Sequence, residues 1–159
     1  MSQAGARHRW IRHHGVKYLR ELLHGQAEIF EAHPLALRTA APQTDIAPDI
    51  TPDIAIARLP DTRYLQHHPY PEDIYWLIEV ADATALTDHV ETKGQLYAAA
   101  GIREYWVINA TSQDLIICKN LQGGDFWTQM TLKIGMIRTT AFPDLAIDVA
   151  RLLDIPTDD

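Results

Sequence analysis

Asp73-Ile74-Tyr75-Trp76-Leu77-Ile78-Glu79-Val80 is an apolar run with one carboxylate near its end, and the rest of the chain is read outward from it. Its length and its content of β-branched and aromatic residues predict a strand. Upstream, Pro52-Asp53 opens the alternating Ile54-Ala55-Ile56-Ala57, which predicts a second strand. Downstream, after a polar loop, Asp88-His89-Val90-Glu91 has the pattern of a helix cap with an acid three positions on, and Val90 to Ala100 runs helical until Gly101 stops it. Lys93 falls on the first turn of that helix. A carboxylate deep in an apolar strand is costly unless something positive meets it. Within this stretch the candidates to meet Glu79 are Asp53, Lys93 and a metal ion.

A chain of 159 residues predicts one domain, 1–159, with a single core and a flexible tail over 155–159. Apolar residues at 47% and charged residues at 22% fit a globular protein and exclude a disordered or fibrous one. The 14 Lys and Arg against 21 Asp and Glu give a net charge of -7, which counts against a long nonspecific nucleic-acid footprint. It leaves room for a small basic cleft, or for a cleft where a divalent cation supplies the positive charge. Cys118 is the only cysteine, so an internal disulfide and a cysteine zinc site are excluded; it reads as a small buried thiol. No run is long and apolar enough for a membrane span and no signal core opens the chain, so a cytoplasmic location with no membrane partner is expected. There is no His-x-x-x-His pair, no Gly-x-Ser-x-Gly elbow and no glycine-rich phosphate loop, so no nucleotide cofactor is expected.

Arg7 to Leu23 predicts a helix from Ile11, Tyr18, Leu19, Leu22 and Leu23, weakened slightly by Gly15 and closed by Gly25. Its Arg7, His8, Arg9, Arg12, His13, His14 and Lys17 form either a solvated face or a phosphate-facing one. Ala27 to Phe30 and Leu35 to Leu37 suggest a short antiparallel pair around Ala32-His33-Pro34, and Ala41 to Pro52 a proline-rich loop. Leu59 to Pro71 is a polar connection that either covers the mouth of a site or is a surface excursion. Because it holds no crossover helix, the strands on either side of it should be antiparallel neighbours. Ile102 to Asn109 reads as a strand, Asp114 to Cys118 and Phe126 to Met130 as a hairpin around Gln122-Gly123-Gly124-Asp125, Phe142 to Asp148 as an edge strand, and Val149 to Leu153 as a closing turn. The outcome is an α/β fold, a mixed sheet of five or six strands covered by two helices. Trp76, Tyr105, Trp106, Phe126 and Trp127 are more aromatic surface than such a sheet hides, which predicts a two-fold homodimer.

If the Asp53 and Glu79 strands are antiparallel neighbours, both carboxylates project from one end of the sheet. Two convergent carboxylates repel each other unless a proton or cation lies between them. A hard divalent ion, Mg²⁺ or Mn²⁺, suits such oxygen ligands, and Lys93 would stabilise a phosphoryl oxygen or orient an attacking water. That set suits phosphodiester hydrolysis. By the same repulsion, neutralising Glu79 should leave stability unchanged or raised when metal is absent. The spacing is equally compatible with Asp53 capping a turn, Glu79 pairing with a surface lysine, and Lys93 lying exposed on its helix.

The stretches Thr51 to Ala57, Pro71 to Val80, Asp88 to Tyr97 with Lys93, Ala100 to Ile108 and Phe142-Pro143-Asp144-Leu145 together resemble the Uma2 family, abundant in cyanobacteria. The resemblance implies a restriction-endonuclease-like core of the PD-(D/E)xK nuclease superfamily, with a divalent metal on its carboxylates and DNA as substrate. The family's proline-aspartate element falls on Pro52 and Asp53 and its strand glutamate on Glu79. The superfamily's usual lysine, two residues past the glutamate, falls on Ala81, and the family's displaced lysine on Lys93. Tyr97, one turn later, either touches the site or packs beside it. His8 matches a histidine early in the first helix. The chain starts almost at that helix, so the N-terminus looks shortened relative to the family, with Glu21 or Glu28 as candidates for a missing acid. A catalytically inactive binding or assembly module is the alternative function.

Overall fold

In the computed structural model, which describes residues 3–37 and 50–154, a six-stranded sheet runs in the order β1-β2-β3-β4-β5-β6. The strands are β1 (Glu28–Glu31), β2 (Ile54–Ala57), β3 (Ile74–Ala81), β4 (Tyr105–Asn109), β5 (Asp114–Gln122) and β6 (Asp125–Leu132). All neighbours are antiparallel except β3 and β4, which are parallel. A parallel pair needs a crossover, and it is supplied by a helical segment whose Asp88–Lys93 is wound as a π-turn and continues as α2 (Gly94–Ala100). The expected α/β mixed sheet and the antiparallel β2/β3 pairing are both present.

The two faces follow from strand alternation. Ile54, Ile56, Trp76, Ile78, Val80, Trp106 and Ile108 join α1 (Gln3–Leu22) and α3 (Val149–Leu153) in one buried cluster. Ala55, Ala57, Leu77, Ala81, Tyr105 and Val107 meet Tyr97 of α2 in another. Glu79 alternates onto this second face. Gly15 has a packing role beyond its cost to the helix: a Cβ there would lie 3.4 Å from Ile54 Cδ1 and 3.7 Å from Leu152 Cδ1, so α1 crosses β2 closely at that point.

Four expectations change. The pair proposed for Ala27–Phe30 with Leu35–Leu37 does not form: β1 pairs with β2, and Leu35 instead bridges Ile50. After Ala32 donates to the Asp53 carbonyl at 2.8 Å, the chain leaves the ladder, and Leu35 and Leu37 pack under the α2-side face. The segment Phe142–Asp148 is β8 of a second sheet with β7 (Met136–Thr139), a strand too short and mixed in polarity to be read from sequence. Asp88 is not the helix cap; Asp82 Oδ1 accepts the Thr84 and Ala85 N–H groups, both at 3.0 Å, six residues earlier. The hairpin turn lies at Gly123 and Gly124, with φ of 61° and 81°, but its strands are longer than expected.

The aromatic argument for a dimer also weakens, since Trp76, Tyr105 and Trp106 are fully buried within the chain. The exposed apolar side chains instead include Trp127 and Met130 on edge strand β6, Ile134 just beyond it and Met136 at the start of β7, besides Trp10, Leu59, Leu65 and Leu96 elsewhere on the surface. Among the described residues no helix is long and apolar enough to cross a membrane. The loop expected over Ala41–Pro52 lies mostly outside the described residues, and the tail 155–159 wholly so.

Candidate functional site

Glu79 sits at the C-terminal end of β3 with 2% of its surface exposed, so its carboxylate needs internal partners. Lys93 Nζ meets Oε1 at 3.0 Å. The Tyr105 and Tyr97 hydroxyls donate to Oε2 at 2.9 and 3.3 Å. Tyr97 therefore both packs, edge to face on Tyr105 with centroids 4.9 Å apart, and touches the acid. Burial, and next the Glu79 charge, push both phenol pKa values up, so each hydroxyl stays a donor. Lys93 reaches Glu79 from the π-turn, a local winding that often occurs at functional sites.

Asp53 is the second carboxylate, 8% exposed. The Val80 N–H donates to its Oδ2 at 2.8 Å. His8 Nε2 lies 3.1 Å from it and Arg12 Nη1 donates to Oδ1 at 3.3 Å. Burial raises the Asp53 pKa, but the hydrogen bonds from His8 and the Val80 N–H, followed by the His8 and Arg12 charges, outweigh it and hold the carboxyl below its usual value. The hydrogen bond to Asp53 raises the His8 pKa in turn, against desolvation.

Val80 follows Glu79 directly, so Asp53 and Glu79 border the same end of β3, and the Asp53 charge is felt at the Tyr97 hydroxyl. The repulsion expected between the two carboxylates is offset by two separate sets of partners, Lys93 for Glu79 and Arg12 with His8 for Asp53. Arg12 Nε also donates to Glu31 at 3.4 Å, and His13 lies 3.4 Å from the same acid. Glu31 is opposite Ile54 in the ladder, next to Asp53, whereas Glu28 is opposite Ala57 at the far end and Glu21 is exposed on α1. Glu31 is thus the acid nearest the Asp53 end, ahead of either residue proposed from sequence. Arg12, Glu31, Tyr105 and His89, whose Nε2 lies 3.4 Å from Lys93 Nζ, were missed as members of the site. The signal for Arg12 was its spacing of four residues from His8, which puts both on one face of α1.

Beside this end of β3 a cavity of ≈ 670 Å³ opens between α1 and the ends of β3 and β4, lined by Arg7, His8, Ala81, Asp82 and Thr111 among others. Among the described residues no group of three or more His, Cys, Asp or Glu side chains is arranged to hold a metal ion. Asp53 and Glu79 still offer the hard oxygen donors that suit Mg²⁺ or Mn²⁺, because such an ion commonly takes one or two carboxylates and fills its other positions with water and phosphate.

The Uma2 family, described as a putative restriction endonuclease, matches residues 1–150 of the chain. Among solved structures, one described as a putative nuclease belonging to DUF820 from Anabaena variabilis ATCC 29413 is similar at a TM-score of 0.69. It is 13% identical, and the match covers 93% of this chain and 80% of that one, which is a likeness of fold. No functionally curated protein matches.

Proposed function

The chain belongs to the Uma2 family, with a nuclease-like fold, and from that premise we propose that it is a Mg²⁺- or Mn²⁺-dependent endonuclease hydrolysing DNA phosphodiester bonds. The observation that carries the reading is the end of β3, where buried Glu79 holds Lys93 at 3.0 Å while Asp53 receives the next peptide N–H at 2.8 Å. Asp53 and Glu79 would hold the cation, which when bound supplies Lewis-acid stabilisation of charge on the phosphoryl oxygens. Tyr97 and Tyr105 fix the orientation of the Glu79 carboxylate, and Arg12 and His8 do the same for Asp53. The Lys93 ammonium orients the attacking water and stabilises charge developing on the scissile phosphate. The cavity lined by Arg7, His8 and Thr111 gives the DNA strand access to that end of the sheet.

The proposal includes action as one unit over 1–159, in the cytoplasm, as a two-fold homodimer that brings two cutting centres to one duplex. Exposed Trp127 and Met130 on the open edge strand β6 support the dimer. A catalytically silent binding module is the second reading, favoured by the fact that each carboxylate already has cationic partners from its own chain. Incubation of supercoiled DNA with protein and Mn²⁺ separates the two: nicking that Glu79→Gln abolishes supports the nuclease. Unchanged nicking by Glu79→Gln rejects this site, and no nicking together with no calorimetric Mn²⁺ binding leaves the silent module.

A further inference from the structure

Lys93 has two acceptors. One is Glu79 Oε1 at 3.0 Å; the other is His89 Nε2 at 3.4 Å, one turn earlier on the same π-turn. The opposite ring nitrogen, His89 Nδ1, lies 2.9 Å from the Ala85 carbonyl oxygen. A carbonyl only accepts, so Nδ1 carries the proton and Nε2 presents its lone pair to the lysine. The ring is held from behind as well: Ala85 is tied to the Asp82 cap through its N–H at 3.0 Å, and the His89 carbonyl accepts from the Tyr105 hydroxyl at 3.1 Å. That single O–H is shared with Glu79 Oε2, the nearer acceptor at 2.9 Å, so one short network joins the lysine, its carboxylate and the histidine.

This network matters because a cation and Lys93 compete for one carboxylate. A divalent ion on Glu79 puts two positive charges against the same oxygens, and the ammonium must then find another acceptor or return to water. Resting on the proposed nuclease reading, we infer that His89 is a positioning residue, the acceptor that takes Lys93 when a divalent cation binds Glu79. Cation binding and placement of the ammonium toward phosphate are then one coupled event, and the fixed tautomer of His89 keeps the lysine at the site. Residue 89 acts only through Lys93 and touches neither cation nor substrate.

The test is calorimetric titration of Mn²⁺ into the wild type, His89→Ala, His89→Gln, Lys93→Ala and the His89→Ala/Lys93→Ala double variant, without DNA. His89→Ala should weaken Mn²⁺ binding about fivefold, the worth of one modest hydrogen bond. His89→Gln, whose amide oxygen can accept from the ammonium, should recover most of the loss. In the Lys93→Ala background, where there is no ammonium to relocate, His89→Ala should change nothing. Wild-type affinity in His89→Ala overturns the inference, as does an equal loss with and without Lys93, which would indicate general damage to the fold. Absence of Mn²⁺ binding by the wild type is a different failure: it removes the two-carboxylate cation site and this inference with it.

Discussion

Glu79→Gln tests whether the site is held together by attraction or strained by repulsion. If Asp53 and Glu79 repelled each other without metal, removing one charge would leave stability the same or raise it. The structure reverses that expectation, because Glu79 carries three hydrogen bonds, from Lys93 at 3.0 Å, Tyr105 at 2.9 Å and Tyr97 at 3.3 Å. Hydrogen bonds to a charged group contribute about 1.5–3 kcal/mol against about 0.5–1.5 for neutral ones, so removing the charge costs about 1 kcal/mol per bond. Two effects reduce the sum: burying an amide is less costly than burying a carboxylate, and the Lys93 side chain, 29% exposed, can partly rehydrate. The net expectation is a loss of about 2 kcal/mol, a drop in Tm of about 4–8 °C for a chain of this size. Urea unfolding in chelator gives the number directly, and Lys93→Met in both backgrounds gives the coupling between the two residues. A Glu79→Gln protein as stable as the wild type, with no coupling to Lys93, would refute the network.

Lys93→Ala should reduce DNA nicking about 10²- to 10³-fold, as expected for loss of a group that stabilises transition-state charge, with no loss of Mn²⁺ affinity by calorimetry, since the ammonium competes with the cation for Glu79. His8→Gln should cost about 1 kcal/mol of stability, kept small because the His8 side chain is 35% exposed. The sign follows from the shifts: the raised His8 pKa gives stability that is lost as pH rises through its folded value, and the lowered Asp53 pKa gives stability lost as pH falls through its own. Urea midpoints should therefore differ most between about pH 4 and 6.5 and converge only as pH rises past the folded His8 value or falls past the folded Asp53 value. Gly15→Leu should destabilise strongly, since even a Cβ lies 3.4 Å from Ile54 Cδ1, whereas Gly15→Ala should gain up to about 1 kcal/mol of helix propensity, read by thermal melts. Light scattering should give twice the chain mass at micromolar concentration, and Trp127→Lys should return the monomer mass.

Strands buried on both faces were the legible part of the sequence. Ile54–Ala57 and, apart from Glu79, Ile74–Ala81 are apolar runs because the α1 and α2 faces both need covering, and the lack of a crossover helix between them pointed to their antiparallel pairing. The pair Leu35 to Leu37 was misread because apolar residues look alike whether they join a ladder or plug a face, as Leu35 and Leu37 do. The helix start was misread because Asp88 and Asp82 are both plausible caps, and only the turn at Thr84 and Ala85 decides between them. At the site, Asp53, Glu79 and Lys93 were each visible as charges at element ends. Their partners were not, because Arg12 and His8 come from a helix more than forty positions away and strand register alone put Glu31 beside them.

The position of the lysine follows from the same packing. Two residues beyond Glu79, on the same face, the superfamily lysine would stand at Ala81, which is 2% exposed and packed in the cluster with Leu77 and Tyr97. A lysine there would have to thread its stem under α2, where Tyr97 and Tyr105 already close over the carboxylate. With alanine at that position the β-strand can end at once, Asp82 can cap the turn, and the helix can begin close enough for its π-turn to return Lys93 to Glu79. On the proposed function, Lys93 on the helix and alanine at position 81 are therefore one structural change. Placing the cation on a helix rather than a strand also brings His89 within reach of it, one turn earlier, which a strand lysine could not have had.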